Sequence, residues 1–282
     1  MAKILKGKPV AEKIGQDIKM EVEHLKKEGI SPTLVTVIVG KNEGALSYRK
    51  MIEKKGGLFG ISVANKEFPE DITEDILTNE IENLNKDKDI HGILIFQPLP
   101  RHLDINRIKY KIDPRKDVDG ISPINISKIF SGEKDGIPPA TSQAVMEILD
   151  FYDIPLLGQN ITIIGRSLVV GRPLAMLLLH RNATITITHS KTKNLKEISK
   201  KADILIAALG RKEAITKDYL SPGQVVIDVG INVVEGKIYG DIRFEDAENI
   251  VDAITPVPGG VGSVTTSVLF KHLIKCIKSN SN

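Results

Sequence analysis

A single cysteine, Cys276, stands among the 282 residues, so no intrachain disulfide can form, which fits a reducing compartment. It falls in a helical pattern near the end of the chain, where a buried thiol is expected rather than a nucleophile. Tryptophan is missing and only 4% of residues are aromatic. No basic stripe interleaves with aromatics, which argues against a nucleic-acid partner. No Cys/His cluster has metal-ligand spacing, so no metal is expected. Neither sign of charge prevails: 39 Lys and Arg face 36 Asp and Glu, a net +3 that implies a mixed, solvated surface. No apolar run approaches the length of a membrane span, and Met1-Ala2-Lys3-Ile4 opens without the apolar stretch of a signal peptide. The expectation is a cytoplasmic protein with no membrane partner.

What is present reads as globular, with 41% apolar and 27% charged residues, and the length accommodates two domains. Strand-like and helix-like segments alternate, which predicts an α/β fold. In the first half, residues 9–28, 46–58 and 73–85 carry helical patterns, and 33–39, 62–68 and 92–96 read as strands. Residues 113–141 are irregular, rich in glycine and proline, and form the best candidate for a domain junction. A second series follows, with strands expected at 161–164, 183–188, 204–208 and 225–229 and helices at 142–152, 173–180, 195–201 and 268–277.

One segment of that second series has the form of a nucleotide site. Ile161–Ile164, Gly165-Arg166-Ser167 and Gly171-Arg172-Pro173 make a strand, a glycine turn and a helix start. Such a turn lets backbone approach a pyrophosphate at a helix N-terminus. The G-x5-G spacing departs from G-x-G-x-x-G, and a plain strand-to-helix turn would read the same way. The next strand ends in His189-Ser190-Lys191-Thr192, with no acid to hold ribose hydroxyls. Hydroxyls and a cation there suit a 2′-phosphate, and Arg166 adds a bidentate donor, so NADP is preferred over NAD; a polar loop capping the strand is the alternative. Ile231, just past a later strand, either faces a nicotinamide or packs in the core.

Thr255-Pro-Val-Pro-Gly-Gly-Val-Gly262, with Lys116-Asp-Val-Asp-Gly120, Gly165-Arg-Ser167, His189-Ser-Lys-Thr192 and Asp228-Val-Gly-Ile-Asn232, closely resembles the methylenetetrahydrofolate dehydrogenase/cyclohydrolase family. The likeness spans roughly residues 3 to 277 and keeps the family's order and spacing. It implies two αβ domains flanking a cleft: a folate-binding catalytic domain of residues 1–139 plus 268–282, and a Rossmann-like NADP-binding domain of residues 140–267. It implies NADP-dependent oxidation of a one-carbon unit on tetrahydrofolate, and a homodimer paired through the cofactor domain. By the same resemblance, Tyr48 stacks on the folate ring and Asp119 anchors the pterin, both as catalytic positions. Pro258, Gly259 and Gly260 shape the folate cleft. Thr141 lies near the nicotinamide. Arg166, Ser167 and Ser190 contact the cofactor phosphates, and Ile231 the nicotinamide, while Gly165 and Gly171 are the cofactor-binding glycines of the turn described above.

Two departures bear on activity. The family carries a lysine one helical turn after the tyrosine, where this chain has Ile52. It carries a glutamine at the end of its third strand, where this chain has Phe96, with Gln97 shifted to the opposite face. Ser142 and Ser263 replace prolines. Hydride transfer from a carbon between two nitrogens needs positioning more than a proton relay. Hydrolysis of the methenyl product needs protons to move, and a placed acid/base contributes roughly a hundredfold or more. The expectation is a dehydrogenase whose cyclohydrolase is weak or absent; the alternative is a bifunctional enzyme that keeps the hydrolase through proton transfer by Tyr48 or through Lys55, three residues beyond Ile52. The competing readings are an oxidoreductase acting on another small substrate, and a non-catalytic protein that binds folate or NADP.

Overall fold

The computed structural model describes residues 1–280. Its contacts divide the chain into an amino-terminal unit, Lys13–Pro138 with the chain from Thr266 onward, and a middle unit, Met1–Glu12 with Pro139–Thr265. Residues 281 and 282, which the sequence division assigns to the folate-binding domain, lie outside the described residues.

The short strand β1 (Lys3–Ile4) leads into α1 (Gly7–Lys27). In the amino-terminal unit β2 (Thr33–Val39), α2 (Glu43–Phe59), β3 (Ser62–Phe68), α3 (Glu74–Lys86) and β4 (Gly92–Ile95) follow in turn. The three strands form a parallel sheet in the order β3-β2-β4. β2 is central, and its run Leu-Val-Thr-Val-Ile-Val is buried throughout, as a parallel strand covered on both faces requires. Side chains at the helix starts take up backbone donors: Asn42 accepts from Ala45 before α2, and Thr73 from Ile76 before α3. Because Asn42 caps it, α2 begins ahead of Leu46, the first residue of the expected helix. The irregular stretch contains a helix that composition hides, α5 (Pro123–Ser131), after the one-turn α4 (Ile105–Ile108). Its signature is the Ser122 cap followed by Pro123 in the first turn.

The middle unit comprises α6 (Ala140–Phe151), β5 (Asn160–Ile164), α7 (Gly171–Leu179), β6 (Thr184–Thr188), α8 (Leu195–Lys200), β7 (Ile204–Ala207) and β8 (Val225–Asp228). A hairpin, β9 (Asn232–Val234) and β10 (Lys237–Tyr239), then α9 (Phe244–Ala247) and β11 (Ala253–Ile254), complete it. The chain closes with α10 (Val261–Asn280), which starts directly after the glycine-rich loop and not at Val268. The main sheet is parallel, in the order β1-β11-β8-β7-β5-β6. Lys3 and Ile4 pair with Ala253 and Ile254, so the first residues belong to this sheet, whereas the sequence division grouped them with the folate-binding domain. The chain steps outward from β5 to β6 on one side and to β7 on the other. That reversal is a topological switch point, and ligands of open α/β sheets bind outside the carboxyl ends of the strands there.

Candidate active site

Tyr48 sits on α2, half-buried, with its ring edge-on to Phe96 at 5.9 Å between centroids. Its phenol is hydrogen-bonded to the Thr266 hydroxyl on α10, and the Asp119 carboxylate acts on it electrostatically. Burial, with the negative charge of Asp119 adding to it and the Thr266 bond opposing it, pushes the phenol up to about 12. Tyr48 is therefore a neutral donor and a stacking face at physiological pH, not a resident base. The structure thus brings together two of the residues picked from the sequence, Tyr48 and Asp119, and adds Thr266, whose place in α10 no local sequence signal marks.

The segment around Asp119 is held by its neighbours. Asp117, buried, accepts from the backbone N–H of Ile121 and Ser122 and from the Asn125 amide. Lys116 is turned inward and donates to the carbonyls of Leu84 and Asp87. His272 on α10, fully enclosed, contacts the Val118 carbonyl at 2.9 Å through Nδ1. A carbonyl only accepts, so Nδ1 carries the proton. In Lys116-Asp-Val-Asp-Gly120 the first three residues are scaffold, and half-buried Asp119 is the one presented.

The two departures have clear structural outcomes. Ile52 is fully enclosed and Phe96 is 8% exposed, so both positions are packed with hydrocarbon. Gln97 is exposed and follows the strand. Lys55, half-buried on the same helix, has its pKa lowered by burial.

In the middle unit the glycine turn lies at the switch point. Gly165, at the end of β5, has φ +135°, and a Cβ there would collide with the Ala208 carbonyl at the end of β7. Gly171 opens α7, where a Cβ would meet the Gly165 carbonyl. Ser167 Oγ accepts from Val170 N–H at 3.1 Å, and the Ser142 hydroxyl donates to the carbonyls of Val169 and Val170, tying the turn to α6. Ser142, a departure from the family pattern, thus has a structural task. Arg166 is exposed beside this turn. After β6, His189 N–H donates to Thr192 Oγ1 and Lys191 N–H donates to His189 Nδ1. The backbone donors of His189, Lys191 and Thr192 are taken up within the loop while the side chains of Ser190 and Lys191 remain exposed, a donor set suited to a phosphate. Ile231 is 59% exposed, so its core-packing alternative falls. Thr141 stands half-buried in the first turn of α6. Pro258, Gly259 and Gly260 occupy the loop between β11 and α10, held by Gly7 N–H on the Gly259 carbonyl and Ser263 Oγ on the Gly260 carbonyl. They fall in the middle unit, not in the unit that holds Tyr48 and Asp119. Among the described residues no group of His, Cys, Asp and Glu could hold a metal ion, and no helix is long and apolar enough to cross a membrane.

The family model of the tetrahydrofolate dehydrogenase/cyclohydrolase catalytic domain matches residues 5–119, and that of the NAD(P)-binding domain of the same proteins matches residues 139–281. The chain belongs to the tetrahydrofolate dehydrogenase/cyclohydrolase family. The bifunctional protein FolD of Alkaliphilus oremlandii is 48% identical over 283 residues, 100% of this chain and 99% of that one. The crystal structure of the bifunctional FolD enzyme from Campylobacter jejuni superposes with a TM-score of 0.97 at 38% identity, covering 99% of this chain and 100% of that one. A Trypanosoma brucei enzyme of this family, complexed with NADP cofactor and an inhibitor, has a TM-score of 0.94 at 32% identity, covering 100% of this chain and 99% of that one. The family's two domains therefore correspond to the two series of strands and helices, with the NAD(P)-binding domain holding the switch point.

Proposed function

We propose that this protein oxidises 5,10-methylenetetrahydrofolate to the 5,10-methenyl form with NADP, and hydrolyses the product weakly or not at all. The observation that carries the reading is the conjunction, within a member of this family, of an intact Tyr48–Asp119 pair with an intact glycine turn at the switch point. Bound NADP supplies the hydride acceptor. The exposed hydroxyl and cations at Ser190, Lys191 and Arg166 suit its phosphates, Ser167 completes the turn, and Thr141 and Ile231 are assigned to the nicotinamide side.

The chain's own part is orientation. The Tyr48 ring offers a face to the pteridine, and the Asp119 carboxylate accepts from its amidine-like edge. Pro258, Gly259 and Gly260 border the folate. As the hydride leaves the methylene carbon, a lone pair on the neighbouring nitrogen delocalises onto that carbon, and the cation formed is the methenyl product. No protein group has to take a proton in that step, so enclosed Ile52 and Phe96 do not impede it.

Hydrolysis differs, because water must add to the methenyl carbon and surrender protons. Ile52 and Phe96 have none to exchange. The expected outcome with purified protein is NADP reduction driven by methylenetetrahydrofolate, and methenyl hydrolysis no faster than the uncatalysed reaction. Tyr48→Ala should raise the folate KM tenfold or more, since stacking contributes roughly 1–3 kcal/mol; Tyr48→Phe should keep it within about threefold. A failure to reduce NADP would sink the reading.

A second reading, in which the hydrolase persists through Lys55, takes its support from the place of that side chain, half-buried on α2 three residues beyond Ile52, where burial lowers its pKa. An enzymatic hydrolysis rate lost in Lys55→Met would establish it. The protein is further assigned to the cytoplasm and to a homodimer paired through its middle unit. In support of that pairing, edge strand β6 leaves Thr186 and Ile187 exposed. Sedimentation at micromolar concentration should give twice the monomer mass.

A further inference from the structure

Two aspartates of the middle unit lie buried at the carboxyl edge of its sheet, and neither belongs to the assigned site. Asp228 ends β8, and Asp241 follows the hairpin β9–β10. The hairpin turns at Glu235-Gly236, both at positive φ, as a two-residue connection of this kind requires. It thereby returns the chain to its own starting point and sets Asp241 against Gly230.

The Asp241 side chain is fully enclosed. Oδ2 accepts from Leu209 N–H at 2.5 Å and Gly210 N–H at 3.0 Å, and Oδ1 accepts from Arg211 N–H at 2.8 Å and from the Asn232 amide at 2.9 Å. Three successive backbone donors converge on one carboxylate, the arrangement that elsewhere cradles a bound anion. Here an internal anion fills it, and no lysine or arginine pairs with Asp241 among the described residues. Asp228 in turn accepts from Gly230, Asp241 and Ile242 N–H at 2.9, 3.0 and 2.9 Å. Side chains at Gly230 or Gly240 would strike the Asp241 or Asp228 carboxyl respectively, so the pair closes without slack.

We propose that Asp241 is a positioning residue for hydride transfer: its carboxylate locks the loop after β7 to the loop after β8, which carries Ile231. The inference rests on the dehydrogenase reading, because it takes Ile231 as the apolar contact of the nicotinamide. Ile231 is exposed, and its neighbours Gly230 and Asn232 are held by Asp228 and Asp241 respectively. Loops after β7 and β8 leave the carboxyl edge where such sheets engage ligands. Backbone bonds join the same segments at either side, from Val229 N–H to the Ala207 carbonyl and from Glu213 and Ile215 N–H to the carbonyls of Gly240 and Asp241, so losing the lock frees the 209–211 turn and Asn232 between those fixed points. The ring above Ile231 would then sample more orientations than the one from which hydride passes.

Two variants test this. Asp241→Asn turns an amide NH2 toward donors and breaks part of the lock. Asn232→Ala removes one of the four bonds to Asp241, together with a longer bond from the same amide to the Tyr239 carbonyl, at a half-buried position where the fold is expected to survive. Both are measured with NADP and with methylenetetrahydrofolate carrying deuterium on the one-carbon unit. The expected results are a kcat lowered tenfold or more in Asp241→Asn and about threefold in Asn232→Ala, a folate KM within twofold of wild type, and a deuterium isotope effect on kcat larger than wild type in both. Amide exchange at residues 209–211 should quicken while the β5 and β7 amides stay protected. Unchanged kcat and isotope effect in Asn232→Ala would overturn the proposal. So would a loss in Asp241→Asn that merely matches its unfolded fraction by circular dichroism. If Asp241→Asn does not fold, Asn232→Ala decides alone. Wild type that fails to turn over would instead refute the dehydrogenase reading, and that failure is seen before any variant is made.

Discussion

Gly165→Ala is expected to weaken NADP binding by roughly 100-fold, equivalent to about 3 kcal/mol, while leaving folate binding unchanged. Gly165 adopts φ +135°, a conformation that L side chains rarely enter and that costs about 1–3 kcal/mol when forced. The added methyl would also collide with the carbonyl of Ala208. The obstacle is backbone, and β5 and β7 are hydrogen-bonded neighbours through Ile164 and Ala207, so the loop has no route of retreat that keeps the sheet intact. The turn must therefore move outward, and with it the donors of Ser167 and Arg166. Gly223 provides the control: it has φ +86° but open space around it, so Gly223→Ala should cost about 1 kcal/mol and leave binding alone. Calorimetric titration with NADP measures both. Binding by Gly165→Ala within threefold of wild type would show that the switch-point turn is not the cofactor site.

Acid is expected to destabilise the amino-terminal unit by roughly 3 kcal/mol between pH 6.5 and 4, through one buried imidazole. His272 is fully enclosed, and burial lowers its pKa to about 4, with Lys275 and Lys271 adding to the effect and the bond to Val118 opposing it. A pKa lowered on folding means that the unfolded chain binds the proton first. The neutral ring's contribution is therefore complete above 6.5 and is lost as pH falls toward 4. Asp228 in the middle unit has the opposite sign, because burial raises it to about 7. Its contribution is present below the ordinary carboxylate pKa and is lost as pH rises through 7. A whole-protein melt mixes the two, so exchange of the α10 amides is the measurement to make. In His272→Asn those amides should exchange somewhat faster than wild type at pH 8 and slower at pH 4.5. Parallel pH dependence in the variant would assign the acid sensitivity to another group.

Comparison of expectation with structure divides along physical lines. Buried parallel strands such as β2 and β5 are legible because a run of β-branched residues has few other stable environments. The long helices are legible from their period, although their ends depend on caps. Asn42 and Ser122 are cap residues whose effect on α2 and α5 is local, yet each stands in a polar, glycine-rich or proline-rich setting that reads as loop. β1 escaped because two residues carry no period, and only pairing with Ala253 and Ile254 makes them a strand. The hairpin β9–β10 escaped because Glu235-Gly236 lacks the usual asparagine or aspartate.

The site divides in the same way. Asp119, Gly165, Arg166, Ser190 and Ile231 lie in short linear motifs, and Tyr48 is placed by the family resemblance, so these candidates are visible as residue types at particular positions in the chain. Thr266, His272 and Asp241 are not, since each acts on a residue distant in sequence. By itself the sequence determined the α/β class, the family and the absence of proton-carrying side chains at Ile52 and Phe96, all of which are matters of residue identity and order. Only the tertiary structure decided that Tyr48 is a neutral phenol, that Lys116 and Asp117 are scaffold, and that two buried aspartates clasp the sheet edge. Those outcomes depend on desolvation and on donors brought together through space, quantities that no stretch of chain contains on its own.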